Sequence, residues 1–117
     1  MNSVSLIGAL TEPPELRTRD DGEEVCELRL AVPRFARGGT REPGVVYVVV
    51  TTGGLSARDV SESIVVGGRV GATGRLETQE WVGPDGERRF RWEVMADQLE
   101  LLDPPPHEHP EASEPAA

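Results

Sequence analysis

Two stretches of the chain alternate apolar and polar residues with a period of two. Val70, Ala72, Gly74 and Leu76 alternate with Arg69, Gly71, Thr73, Arg75 and Glu77; Phe90, Trp92, Val94 and Ala96 alternate with Arg89, Arg91 and Glu93. That period belongs to strands, whose successive side chains point to opposite faces. Between the stretches stands Pro84-Asp85-Gly86. Proline fixes φ, aspartate bonds its own backbone, and glycine takes the positive φ that closes a short loop. The pattern therefore predicts one long hairpin over residues 69–95. Its arms, about ten residues each, exceed the usual strand of five or six, so one end should project past the body and carry Trp81, Arg88, Arg89 and Arg91. By the same alternation Trp92 is expected in the core beside Val94.

The rest of the chain supplies shorter elements. Residues 3–10 alternate Val4, Leu6, Gly8 and Leu10 with small or polar residues and predict a first strand, with a bend or bulge at Gly8. Residues 11–24 hold Pro13-Pro14, Asp20-Asp21-Gly22, Arg17 and Arg19, and read as a loop or frayed extension. A second strand follows over 25–32, with Cys26, Leu28, Leu30 and Val32 on one face and Glu27, Arg29 and Ala31 on the other. Residues 33–44 are rich in proline and glycine and form a loop carrying Arg34, Phe35, Arg37 and Arg41. Residues 45–52, VVYVVVTT, predict a third strand apolar on both faces, placed centrally or at a subunit contact. Leu55 to Val65 is helix-compatible, with Ser56 as N-cap and Gly67-Gly68 as the stop. Residues 98–102 run out of the last strand.

Composition narrows the classes. One domain over 1–102 is expected, followed by a disordered, acidic, proline-rich tail over 103–117 with nothing apolar to bury. A single cysteine, Cys26, excludes a disulfide framework and indicates a reducing, cytoplasmic setting, with the thiol buried. No signal segment or long apolar run is present, so no membrane partner is expected. The net charge is −9; without the tail, 12 Arg face 17 acids, a net of −5. That sign disfavours a phosphate-bearing ligand, but the relevant potential is local over about 8–10 Å. Guanidinium groups cluster with rings on the 33–44 loop and on the hairpin.

Enzyme chemistry is not expected. The folded part has no histidine, and there is no Cys/His pair, phosphate-binding glycine loop or pair of carboxylates on an apolar strand. His107 and His109 form an HxH pair without a third ligand, so neither a metal site nor a cofactor is predicted. Five strands with one short helix between the third and fourth is the order of the OB-fold, a five-stranded Greek-key barrel that binds oligonucleotides or oligosaccharides; a generic all-β barrel or sandwich fits the same pattern nearly as well.

Read together and in order, MNSVSLIGALTEPPELR, VCELRLAV, ARDVSES leading into GGRVGATGRLETQEW, and PDGERRFRWEVMADQLELL resemble the bacterial single-stranded DNA-binding proteins over nearly all of 1–102. The resemblance implies an OB-fold without catalysis, mostly homotetrameric with a dimer as the alternative, associated with the nucleoid and wrapping single-stranded DNA in replication, recombination and repair. It assigns the stacking rings to Phe35, Tyr47 and Trp81. Arg34, Arg37, Arg41, Arg75, Arg88, Arg89 and Arg91 are the candidate phosphate and stacking partners, since arginine does both. The chain departs from the family in several features: Val50-Thr51-Thr52-Gly53-Gly54 lacks a ring that the third strand usually keeps there, lysine is absent, the 33–44 loop is short where the family usually grips DNA, and the tail ends EASEPAA, without the apolar tip that recruits replication and repair proteins. Recruitment of such partners therefore stays open. So does a protein-interaction or oligomerisation module that kept the fold and lost most DNA binding.

Overall fold

The computed structural model describes residues 1–34, 44–53 and 56–103. Its elements run β1 (Val4–Leu10), β2 (Glu15–Thr18), β3 (Glu24–Pro33), β4 (Val45–Gly53), α1 (Ser56–Ser63), β5 (Arg69–Val82) and β6 (Arg88–Leu101). β1 lies antiparallel to β5 from Val4↔Gly74 to Ala9↔Arg69, and its last two residues also pair with Ala31 and Leu30 of β3. β3 continues antiparallel to β4, and β4 meets β6 in parallel at Val50↔Val94 and Thr51↔Met95. The hairpin of β5 and β6 completes the circuit, so five strands form a ring of pairings with β2 attached outside it to β3.

The strand order and the helix between the Val45 and Arg69 strands are those the sequence predicts. β2 is a correction: the segment read as loop holds a four-residue strand, with Glu15↔Glu27 and Thr18↔Glu24 in register. Arg19 N donates to Glu23 O at 2.8 Å, and Gly22 takes a φ of 89° to close this small hairpin. Its pairing is supplied by β3, which is why the local sequence with its prolines and acids did not announce it.

Inward residues of the ring make the core: Leu10, Cys26, Leu28, Leu30, Val50, Val70, Ala72 and Val94, capped by Ala57 and Ile64 from the helical segment. The predicted faces of β1 and β3 are the observed ones, and Cys26 is buried. Burial pushes its thiol pKa up, and the nearby Glu27 charge adds to that. Gly8 sits where β1 leaves β5 for β3, and a Cβ there would come within 2.9 Å of the Ala31 carbonyl oxygen. The register irregularity lies elsewhere, between Thr73 and Gly74, where Asp97 is the extra residue on β6. α1 ends at Ser63, two residues short of the helix-compatible stretch, and Gly67 follows with φ 91°. The cap assigned to Ser56 lies outside the described side chains.

The hairpin has arms of 14 residues each. Its turn works as the sequence implies: Gly83 N donates to Glu87 O at 2.8 Å, Glu87 N donates to Asp85 Oδ1 at 3.1 Å, and Gly86 has φ 82°. β1 accompanies β5 only as far as Gly74, and the backbone ladder between β4 and β6 is confined to Val94 and Met95. Beyond those points, among the described residues, each arm pairs with the other arm alone, and the ribbon projects. This placement overturns the expected burial of Trp92. Its side chain is on the same face as Val94, but the ring of strands ends before it, and it is 59% exposed.

Candidate nucleic-acid interface

Strand parity decides which candidate residues meet. On β4, Tyr47, Val49 and Thr51 share the outward face; on β3 the same face carries Glu27 and Arg29. Tyr47 is 58% exposed, and the Arg29 guanidinium lies over its ring at 5.1 Å from the centroid. On the hairpin, Gln79↔Arg91 and Trp81↔Arg89 stand on one face. β2 brings Arg17 and Arg19 up beside that face.

These residues border two clefts. The first, about 640 Å³, is lined by Trp81, Gln79, Glu80 and Arg91 from the hairpin and by Arg17 to Asp21 from the β2 turn. The second, about 240 Å³, lies between Glu12 to Glu15 and the strip of Glu27, Arg29, Val49 and Arg91. Arg91 borders both. A track therefore runs from Trp81, 46% exposed, past Arg17 and Arg91 to Arg29 and Tyr47.

The electrostatics beneath the track are tightly paired. Arg17 Nη2 donates to Glu27 Oε2 at 2.6 Å, and Arg91 donates to the same oxygen. Glu93, only 1% exposed, accepts from Thr51 Oγ1 at 2.7 Å and from Gln79 Nε2 at 2.5 Å, with Arg19 at 3.5 Å and Arg91 at 4.0 Å. A buried carboxylate persists only with such company. Here it ties β4, β5 and β6 together under the cleft and holds the arginines that rise above it.

The remaining candidates are dispersed. Arg75 is held at the root of the hairpin by Glu77 at 2.6 Å and Asp97 at 3.2 Å, which raise its pKa further, and it lines neither cleft. Arg89 shares the Trp81 face near the tip and donates to Asp85 at 2.7 Å, whereas Arg88 is on the reverse face and donates to Glu80 at 3.1 Å. Arg34 directly follows β3, its backbone N donating to Gly44 O at 3.2 Å. Phe35, Arg37 and Arg41 lie outside the described residues, as do His107 and His109. Sequence reasoning left Arg17, Arg19, Arg29 and Gln79 out of the site. For Arg29 the signal was present, since its parity on β3 puts it on the face opposite the core. Among the described residues no group of three or more His, Cys, Asp or Glu is placed to hold a metal ion, and no helix is long and apolar enough to cross a membrane.

With rings, guanidinium groups and clefts in place on this sheet face, the relatives are informative. Residues 1–102 match the model of the Single-strand binding protein family. The chain belongs to that family. It is 38% identical over 105 residues to a single-stranded DNA-binding protein of Clostridium tetani, covering 88% of this chain and 71% of that one. It is 35% identical over 106 residues to Single-stranded DNA-binding protein 1 of Staphylococcus aureus, covering 89% and 67%, and 38% identical to Single-stranded DNA-binding protein 2 of that species, covering 89% and 74%. The OB-fold predicted from strand order is the fold of this family, and the ring of five strands agrees with it.

Proposed function

We propose that this chain binds single-stranded DNA without regard to sequence, in replication, recombination or repair, along the track from Trp81 to Tyr47. Bases stack on the two exposed rings, each stack contributing about 1–3 kcal/mol, while the backbone passes over Arg17, Arg91 and Arg29. The observation that carries this is the placement of Arg91 at the border of both clefts, with a ring at either end. Family membership and the names of the relatives support the same ligand.

The site explains how an acidic protein holds a polyanion. Carboxylates already neutralise the guanidinium groups, so a phosphate exchanges with Glu27 rather than meeting bare positive charge, and stacking carries a larger share of the affinity. The family resemblance adds Phe35, with Arg34, Arg37 and Arg41, as further candidate contacts, and Arg89 extends the track toward the hairpin tip. The role is binding, with no reaction catalysed. The exposed apolar side chains Ile7 and Val46 support self-association, as a homotetramer or a dimer. Cytoplasmic, nucleoid-associated residence follows from the ligand.

A gel-shift titration of the full chain against labelled single- and double-stranded DNA of equal length, in low salt, tests the ligand. Preference for the single strand supports the proposal; equal affinity or no shift refutes it.

A further inference from the structure

The reverse face of the projecting hairpin is used by nothing described so far. Beyond Val94, register pairs Thr78↔Trp92, Glu80↔Phe90 and Val82↔Arg88 place Trp92, Phe90 and Val82 on one side, continuing the row begun by Leu76. All four are exposed, Phe90 at 61%. The rings of Phe90 and Trp92 stand edge to face, with centroids 6.3 Å apart and planes at 82°. In that arrangement the edge of one ring meets one face of the other, and the remaining ring faces are not stacked on each other. A two-stranded ribbon with an apolar side is marginal in water without something laid against it.

We propose that this face is a second base-stacking surface for single-stranded DNA, so that the strand bound on the Trp81 side wraps the hairpin and engages both of its faces. The inference rests on the proposed function and extends it. Three features favour a nucleic acid over a protein as the occupant. The two rings are two residues apart on one strand, with open π-faces that accept any base. Arg88 lies on the same side, and its bridge to Glu80 joins two largely solvent-exposed side chains; such pairs hold weakly and exchange readily for a phosphate. Finally, among the described residues the outer edges of both arms carry no further strand beyond Gly74 and Val94. A flexible strand leaving Trp81 therefore reaches Trp92 by crossing a single ribbon edge, with Val82 and Leu76 as apolar floor for the sugars.

The test uses the full chain with Trp81→Phe, which keeps a ring at 81 and leaves Trp92 as the sole tryptophan, titrated with a long oligo-dT bearing a fluorescent label. Quenching of Trp92 in step with the rise in label polarisation is expected. Replacing both rings, F90L with W92L, should weaken binding of the same oligomer about tenfold or more, the scale of one to two lost stacks, and W92F should restore much of it. If polarisation rises while Trp92 emission stays constant, the second surface is refuted and the Trp81 track stands. If Trp92 responds to dilution of the protein alone and not to oligo-dT, the face is a contact between copies and the proposal falls. If the wild-type chain does not raise the polarisation at all, the proposed function fails and this surface with it.

Discussion

Arg17 and Glu27 form a bridge of 2.6 Å between β2 and β3, and Arg91 of β6 donates to the same carboxylate oxygen. One carboxylate therefore occupies two guanidinium groups at the centre of the track. Removing its charge by Glu27→Gln should free both for phosphate. Affinity for oligo-dT is expected to rise, and the slope of log K against log salt to steepen by about 0.7 for each additional phosphate neutralised. Titrations at several salt concentrations check this, and an unchanged slope would count against phosphate binding at Arg17 and Arg91.

Glu93 anchors the floor of the same site. Glu93→Ala strands the buried Thr51 hydroxyl and removes the partner of Gln79 and Arg19. A loss of about 2–4 kcal/mol in unfolding free energy is expected, from an orphaned buried donor and uncompensated charge. Urea unfolding measures it. Thr51→Val should cost less, because Glu93 keeps its other partners.

How much of this was legible in the sequence depended on whether the cause was local. The hairpin turn was, because Asp85 and Gly86 act within a few residues, and so were the faces of β1 and β3, which alternation alone assigns. Trp92 was misread for a reason of the same kind: alternation tells which face a residue takes, not how far the body extends beneath it. β2 escaped because its pairing partner is in β3, and with it went Arg17 and Arg19. The joining of Glu27 to Arg91, 64 residues apart, depends on ring closure, and no spacing in the chain announces it.

The irregularity beside Gly74 is a required close approach. A Cβ at this position would run into the Met95 carbonyl oxygen and the Ala96 backbone. Gly74→Ala should destabilise the fold by about 1–3 kcal/mol or more through overpacking against backbone that cannot yield cheaply. Thermal unfolding gives the magnitude. A variant as stable as wild type would show that the bulge relaxes freely.

The turn that carries the hairpin has a pH signature. The Glu87 backbone N–H and, less strongly, the Arg89 guanidinium hold the Asp85 carboxyl below the usual range. Its contribution is thus complete above the unfolded value of about 3.9 and is lost only as pH falls through the lower folded value. The Glu87 amide resonance should titrate with a midpoint below that of an aspartate in a short peptide. A midpoint at or above the peptide value would mean the Asp85 bond is not maintained in solution.

The central claim is that a base lies on Trp81. Polarisation of labelled oligo-dT, titrated in low salt with wild type and with Trp81→Ala, measures it most directly. Loss of one stack predicts weaker binding by about 5- to 150-fold for the variant, from 1–3 kcal/mol, with the fold unchanged because the side chain is half-exposed. Equal affinity of the two proteins would contradict the account.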